Sequence, residues 1–281
     1  MLKIFKKLRK RLRVWDLYID KLQYKLEDIE QRLIEGNKQF INLQCDIKQE
    51  FTKQDERLIN LECNTNIIYS IRNELTFIKI LLQENSNSNS VFNSIYKNNY
   101  WGQGSGPGSN EQFCAGYVEF LQDFFKKYYI KSIVDCGCGD WQFSKNINFN
   151  GIDYKGFDVA SFVVENNSKN YHKENIQFFL YDGDFSTLPS ADLIICKDVL
   201  QHLPNAKIKE FIANLHKYKF ALITNDIAEN VNGDISLGGY RCLDLRKEPF
   251  NLNMQILYTL HRMPKAPDMP VMLWENKDLK A

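Results

Sequence analysis

Ser132-Ile-Val-Asp-Cys-Gly-Cys-Gly-Asp-Trp141 is the stretch on which the fold turns. Ile130, Ile133 and Val134 predict a short buried strand ending at Asp135, after a helical pattern over Glu111 to Tyr129. Gly137 and Gly139 follow, and a helix is predicted over Gln142 to Asn146. A strand, a glycine turn and a helix bring the main chain of an α/β sheet against a nucleotide-like ligand. Neither glycine carries a Cβ, so a ligand can lie directly on the backbone there. A dinucleotide fingerprint needs a third glycine where Gln142 stands, and the Gly-Lys-Ser/Thr of a P-loop is absent.

Downstream the α/β pattern continues. Tyr154 to Asp158 is a second short strand ending in an acid. Asp158 stands about 20 residues beyond the glycine turn, where such sheets place the carboxylate that accepts from ribose hydroxyls; capping the helix predicted from Ser161 is the alternative use. Ile176 to Tyr181 is a third strand, followed by Asp182-Gly183-Asp184. An acid there suits the exocyclic amine of adenine: Asp182 by distance from the strand, or Asp184 by distance from Leu188-Pro189. Ala191 to Lys197 is almost wholly apolar, as the centre of a parallel sheet requires. It delivers Asp198 and His202 at its carboxyl end, where open sheets bind ligands. A helix over Lys207 to His216, a strand over Phe220 to Thr224, and an antiparallel pair at Gln255 to Leu260 and Val271 to Trp274 complete the pattern.

Asp-x-Gly-x-Gly at a strand end resembles motif I of the class I S-adenosylmethionine-dependent methyltransferases. Gly-Cys-Gly-Asp-Trp-Gln-Phe, Cys-Lys-Asp-Val-Leu-Gln-His-Leu, Thr-Asn-Asp and Gly-Gly-Tyr-Arg look more narrowly like a group of small bacterial methyltransferases associated with surface-polysaccharide genes. The resemblance covers roughly residues 100 to 281, with Cys242 where proline is expected. It implies an α/β fold, a Rossmann-like seven-strand methyltransferase sheet, and S-adenosylmethionine as cofactor. It further implies that Asp135, Gly137 and Gly139, beside Trp141, hold the methionine end, whose ammonium suits Asp135. Asp158 with Val159 would take the ribose and Asp182 with Gly183 the adenine, Lys197 lying at the same site. His202 is the leading general base for a hydroxyl acceptor. Asp198, four residues before it, would orient it on a helix face, and Asp226 is the alternative base. Tyr240 and Arg241 would bind an anionic acceptor, or Arg241 would pair with Asp244.

Ahead of this domain, Phe5, Leu8, Leu12, Trp15, Ile19, Leu22, Leu26, Ile29 and Leu33 begin a three-four apolar spacing. It slips near Glu50/Phe51 and resumes to Leu82, with no proline before Pro107. The pattern predicts an N-terminal α-helical coiled coil over 1–84 that assembles a homo-oligomer; a helical bundle turning at Gly36 and at the slip is the alternative. The first 15 residues, with Lys3, Lys6, Lys7, Arg9, Lys10, Arg11 and Arg13 opposite an apolar stripe, predict a peripheral membrane or acidic-partner contact, or a solvated start to the coil. Residues 85–110 lose periodicity and predict a linker and Gly-rich lid loop, in which Trp101 and Ser105 would face the substrate. The methyltransferase domain is expected over 111–281.

Composition narrows the partners. Net charge is +1 over 281 residues, and from Asn85 onward 20 Lys/Arg stand against 22 Asp/Glu, so a nucleic-acid substrate is not expected. No run of about 18 apolar residues or signal peptide is read. The seven scattered cysteines present no metal-ligand set and read as reduced thiols. The expectation is a cytoplasmic methyltransferase, peripheral on the inner membrane face, that O-methylates a small-molecule or glycan acceptor. A coiled-coil scaffold with a non-catalytic cofactor-binding domain is the rival.

Overall fold

The structure, a computed structural model, describes residues 25, 27–35, 38, 88–102, 104–228, 231–261 and 267–279. The chain divides into two units, Met1–Thr76 and Phe77–Ala281. In the first unit, residues 27–35 are helical, with an exposed Arg32–Asp28 ion pair of 2.9 Å one turn apart. The basic start, the rest of the predicted coiled coil and its assembly lie outside the described residues.

In the second unit, apolar runs of five to seven residues are too short for helices and become strands. They are β1 (Ser132–Cys136), β2 (Asp153–Asp158), β3 (Ile176–Leu180), β4 (Ala191–Lys197), β5 (Tyr218–Thr224), β6 (Gln255–Leu260) and β7 (Met269–Glu275). They form one seven-stranded sheet in the order β3-β2-β1-β4-β5-β7-β6. The first five are parallel, while β7 runs antiparallel between β5 and β6. The seven-strand Rossmann-like expectation therefore holds, with the terminal pair placing its second strand inward.

Helices α1 (Ser88–Lys97), α2 (Ala115–Lys127), α3 (Ser161–Tyr171) and α4 (Asn205–Ala213) flank the sheet. α2 buries Tyr117, Leu121, Phe124 and Phe125 against one face. α1 and α4 bury Val91, Phe92, Ile95, Ile208 and Phe211 against the other. Because β1 is central, its side chains alternate between these two cores. Its carboxyl end opens between β2 and β4, where the strand order reverses and a crevice must form.

Two predicted elements differ. The segment read as linker holds α1: Val91, Phe92 and Ile95 share one face within an Asn/Ser-rich sequence, and burial of that face overrides the weak helix propensity of its polar residues. Conversely, Gln142 to Asn146 yields only a 3₁₀ turn at Ser144–Asn146, because Trp141 is held at φ 60 and turns the chain away.

Candidate active site

The glycine turn is built by its neighbours. Gly137 has φ 80 and Gly139 φ 57; a Cβ at the first would run into Val199 Cγ2 and at the second into Ser105 Oγ. The Gly139 N–H donates to Asp158 Oδ2 at 3.0 Å, and Ala160 N–H donates to Asp158 Oδ1 at 2.9 Å. Asp158 thus joins the turn after β1 to the end of β2, and it precedes rather than caps α3, whose N-cap is Ala160.

Around this turn lies a pocket lined by Asp135, Gly137, Gly139, Asp158, Val159, Gly183, Lys197, Asp198 and His202, with Trp101 and Ser105 from the preceding loop. The tertiary fold therefore brings together these eleven residues, all singled out in sequence. Asp135 and Asp158 are both buried. Desolvation pushes the Asp135 carboxyl up to about 7 despite a hydrogen bond from Tyr154. It likewise pushes Asp158 up to about 6 against its backbone donors. Lys197 Nζ lies 2.7 Å from both Asp198 Oδ2 and the Gly108 carbonyl, tying β4 to the loop ahead of α2.

His202 ends a 3₁₀ turn after β4. Its Nδ1 lies 2.7 Å from the Gly239 carbonyl; a carbonyl only accepts, so Nδ1 carries the proton and Nε2 keeps its lone pair. Burial lowers its pKa, so the ring is neutral over the physiological range. Trp101 and Tyr240 flank the imidazole, with ring centroids at 5.0 and 5.9 Å.

The other predicted residues fall elsewhere. Trp141 is in the core, where its Nε1–H donates to the Tyr154 hydroxyl at 2.8 Å. Asp182 is exposed and accepts from the Asp184 N–H at 3.0 Å. Asp184 caps the 3₁₀ turn at Phe185–Thr187. Asp226 is buried outside the pocket lining and accepts from the Tyr240 hydroxyl at 2.7 Å, so Tyr240, itself outside the lining, has its hydroxyl engaged. Arg241 is outside the lining, and its guanidinium donates to the Leu203 carbonyl and to Asn205 Oδ1, both at 2.8 Å. The Asp244 partner is Arg246. The helix face expected to link Asp198 to His202 is not formed. Asp198 has φ 58, so no helical turn carries it to His202, and Gly239 does the holding.

Several site residues were not singled out in sequence. From α1, Phe92 and Tyr96 line the pocket, and Asn89 Nδ2 donates to the Val159 and Tyr181 carbonyls at 3.0 and 3.1 Å. Tyr96 shares a 2.9 Å hydrogen bond with Ser105, whose Oγ accepts from Asp140 N–H at 2.9 Å. Ser105 thereby fastens the Gly-rich loop onto the glycine turn. The signal available for α1 was the 91–92–95 apolar spacing. Tyr154 carried no signal outside the pairing of β1 with β2.

Residues 91–222 match the model of a methyltransferase family described as an O-methyltransferase domain. No curated protein matches the chain. Among solved structures, it is similar to TehB from Haemophilus influenzae, with TM-score 0.45 and 18% identity over 60% of this chain and 67% of that one. It is similar to magnesium protoporphyrin IX methyltransferase (ChlM) from Synechocystis PCC 6803 with bound S-adenosylmethionine, with TM-score 0.45 and 13% identity over 67% and 97%. It is also similar to the bifunctional kinase-methyltransferase WbdD, with TM-score 0.46 and 15% identity over 58% of this chain and 40% of that one. The O-methyltransferase domain matched over residues 91–222 contains this glycine turn and these buried carboxylates and makes the chain a methyltransferase.

Proposed function

We propose that the chain O-methylates a hydroxyl or phosphate-linked group of a surface-glycan precursor, with His202 as general base. The observation that carries this is the fixed tautomer of His202: a neutral imidazole, its Nδ1–H held by Gly239, on the wall of the cofactor pocket. The pocket's donor set fits S-adenosylmethionine. Buried Asp135 suits an ammonium, Asp158 a ribose diol, and Val159 with Gly183, beside Ser88, an adenine face. When bound, the cofactor supplies an activated methyl group. The chain's own work is to seat the acceptor, exclude water beneath the Trp101–Ser109 loop, and take the acceptor proton onto Nε2 as the oxygen attacks. His202 is favoured over Asp226, whose carboxylate is engaged by Tyr240 outside the pocket lining.

The glycan acceptor rests on the motif resemblance and on the absence of a basic footprint for nucleic acid. The same proposal keeps the coiled coil over 1–84 as the means of homo-oligomerisation, and residues 1–15 as a peripheral contact at the inner membrane face. Among the described residues no helix is long and apolar enough to cross a membrane.

The test is transfer of labelled methyl from S-adenosylmethionine to a glycan-precursor fraction, wild type beside His202→Asn. Transfer should fall by about 10²–10⁴-fold in the variant with S-adenosylhomocysteine binding retained. Equal transfer by both proteins would remove His202 from the chemistry. Tight binding without transfer to any fraction would leave a coiled-coil scaffold.

A further inference from the structure

We infer that Tyr154, itself oriented by Trp141, is the positioning residue that favours the ionised form of Asp135 for the cofactor's amino group. The inference rests on the proposed pairing of Asp135 with that ammonium. It makes a buried relay, absent from the pocket lining apart from its Tyr and Asp members, part of cofactor recognition.

Three groups stand in line. Trp141 Nε1–H donates to the Tyr154 oxygen at 2.8 Å, and the Tyr154 hydroxyl donates to Asp135 Oδ2 at 2.6 Å. Their exposures are 4%, 1% and 7%. An indole N–H can only donate, so it occupies the acceptor side of the phenol and leaves the phenol proton to Asp135. A donor to the ionised form of a carboxyl is stronger than one to its neutral form, which holds the carboxyl charged.

The strand register builds this relay. Ile133 pairs with Tyr154 and Asp135 with Gly156. Tyr154 and Asp135 therefore share a face of the sheet, and the position next to Asp135 has no side chain. A Cβ on Gly156 would stand 2.9 Å from Phe178 and 3.1 Å from Cys138 Sγ. Trp141 sits in the left-handed region at φ 60, a conformation that costs a non-glycine residue energy. Its ring is fixed there by Phe149, stacked at 5.9 Å, and Phe178, edge-on at 5.2 Å.

Among the described residues, further titratable groups lie around Asp135. Asp158 at the end of β2 opposes its charge and Lys197 of β4 supports it. Tyr117 of α2, Cys138 of the glycine turn and Cys196 of β4 lie near it, each pushed up by burial and so neutral. Tyr154 is the hydrogen-bond donor among them.

Calorimetric titration of the full chain with S-adenosylhomocysteine, between about pH 5.5 and 8.5, tests this. Wild-type affinity should rise through about pH 7, where Asp135 ionises. In Tyr154→Phe the rise should move up by about one pH unit, making binding about tenfold weaker below it and equal above it. Asp135→Asn should remove the rise near pH 7 and leave only the smaller change that Asp158 brings near pH 6, and Tyr154→Phe added to Asp135→Asn should change nothing further. A rise that does not move, or a loss equal at every pH, would overturn the inference, the second by showing a packing role only. Absence of binding by folded wild type at any pH would overturn the cofactor assignment as well. Binding with an unmoved rise would remove this inference alone.

Discussion

Asp135→Asn should make the ligand-free protein more stable at neutral pH. In the folded chain Asp135 titrates at about 7 rather than at its ordinary 3.8. The folded state therefore binds this proton more tightly than the unfolded state does, and acidification stabilises. The gain is fully present below the ordinary carboxyl range and is lost as pH rises through about 7. At pH 8 the ionised carboxyl costs at most about 4 kcal/mol. Asparagine removes that charge, and its oxygen still accepts from the Tyr154 hydroxyl. Allowing about 1 kcal/mol for the weaker neutral hydrogen bond, a net gain of about 3 kcal/mol remains. Wild type should also gain about 2 kcal/mol from Asp135 between pH 8 and pH 5.5, and under about 1 kcal/mol from Asp158, which titrates near 6. The variant should keep only the smaller part. Urea unfolding of the ligand-free full chain at several pH values, followed by tryptophan fluorescence, measures both. A variant less stable than wild type at pH 8, or one retaining the whole pH slope, would refute the reasoning that burial makes the ionised Asp135 carboxylate costly to the fold.

Other expectations can be checked on the same protein. Gly137→Ala should lose about 2–4 kcal/mol in urea unfolding, from positive φ and from overlap with Val199; an unchanged midpoint would show that the β4 loop yields freely. Ser105→Ala removes the link between Tyr96 and the Asp140 N–H, so S-adenosylhomocysteine should leave about fivefold faster in stopped-flow fluorescence. Asp182→Ala should leave affinity for the same ligand within about twofold by calorimetry, because its exposed carboxylate serves its own turn.

The chain's local patterns carry the sheet and most of the pocket. Short apolar runs separated by turn residues specify strands, and an acid or glycine pair directly after a strand is delivered to the sheet's carboxyl edge by the direction of the chain alone. Asp135, Gly137, Gly139, Asp158, Lys197, Asp198 and His202 were legible for that reason. α1 was hidden because its three buried side chains are spread among Asn and Ser, whose polarity suggests a linker until a core is there to receive them. Arg241 was misread because type and neighbours do not reveal where a guanidinium points; its donors close the loop that carries His202.

By itself, then, the sequence determined the α/β class, the strand order in the chain, and the residues standing at strand ends, since these follow from periodicity and chain direction. The tertiary structure alone decided which of those residues meet. Register placed Tyr154 beside Asp135, the loop over Gly238–Gly239 set the tautomer of His202, and α1 closed the pocket wall. Each depends on contacts between segments far apart in the chain, made only once hydrophobic burial has packed both faces of the sheet.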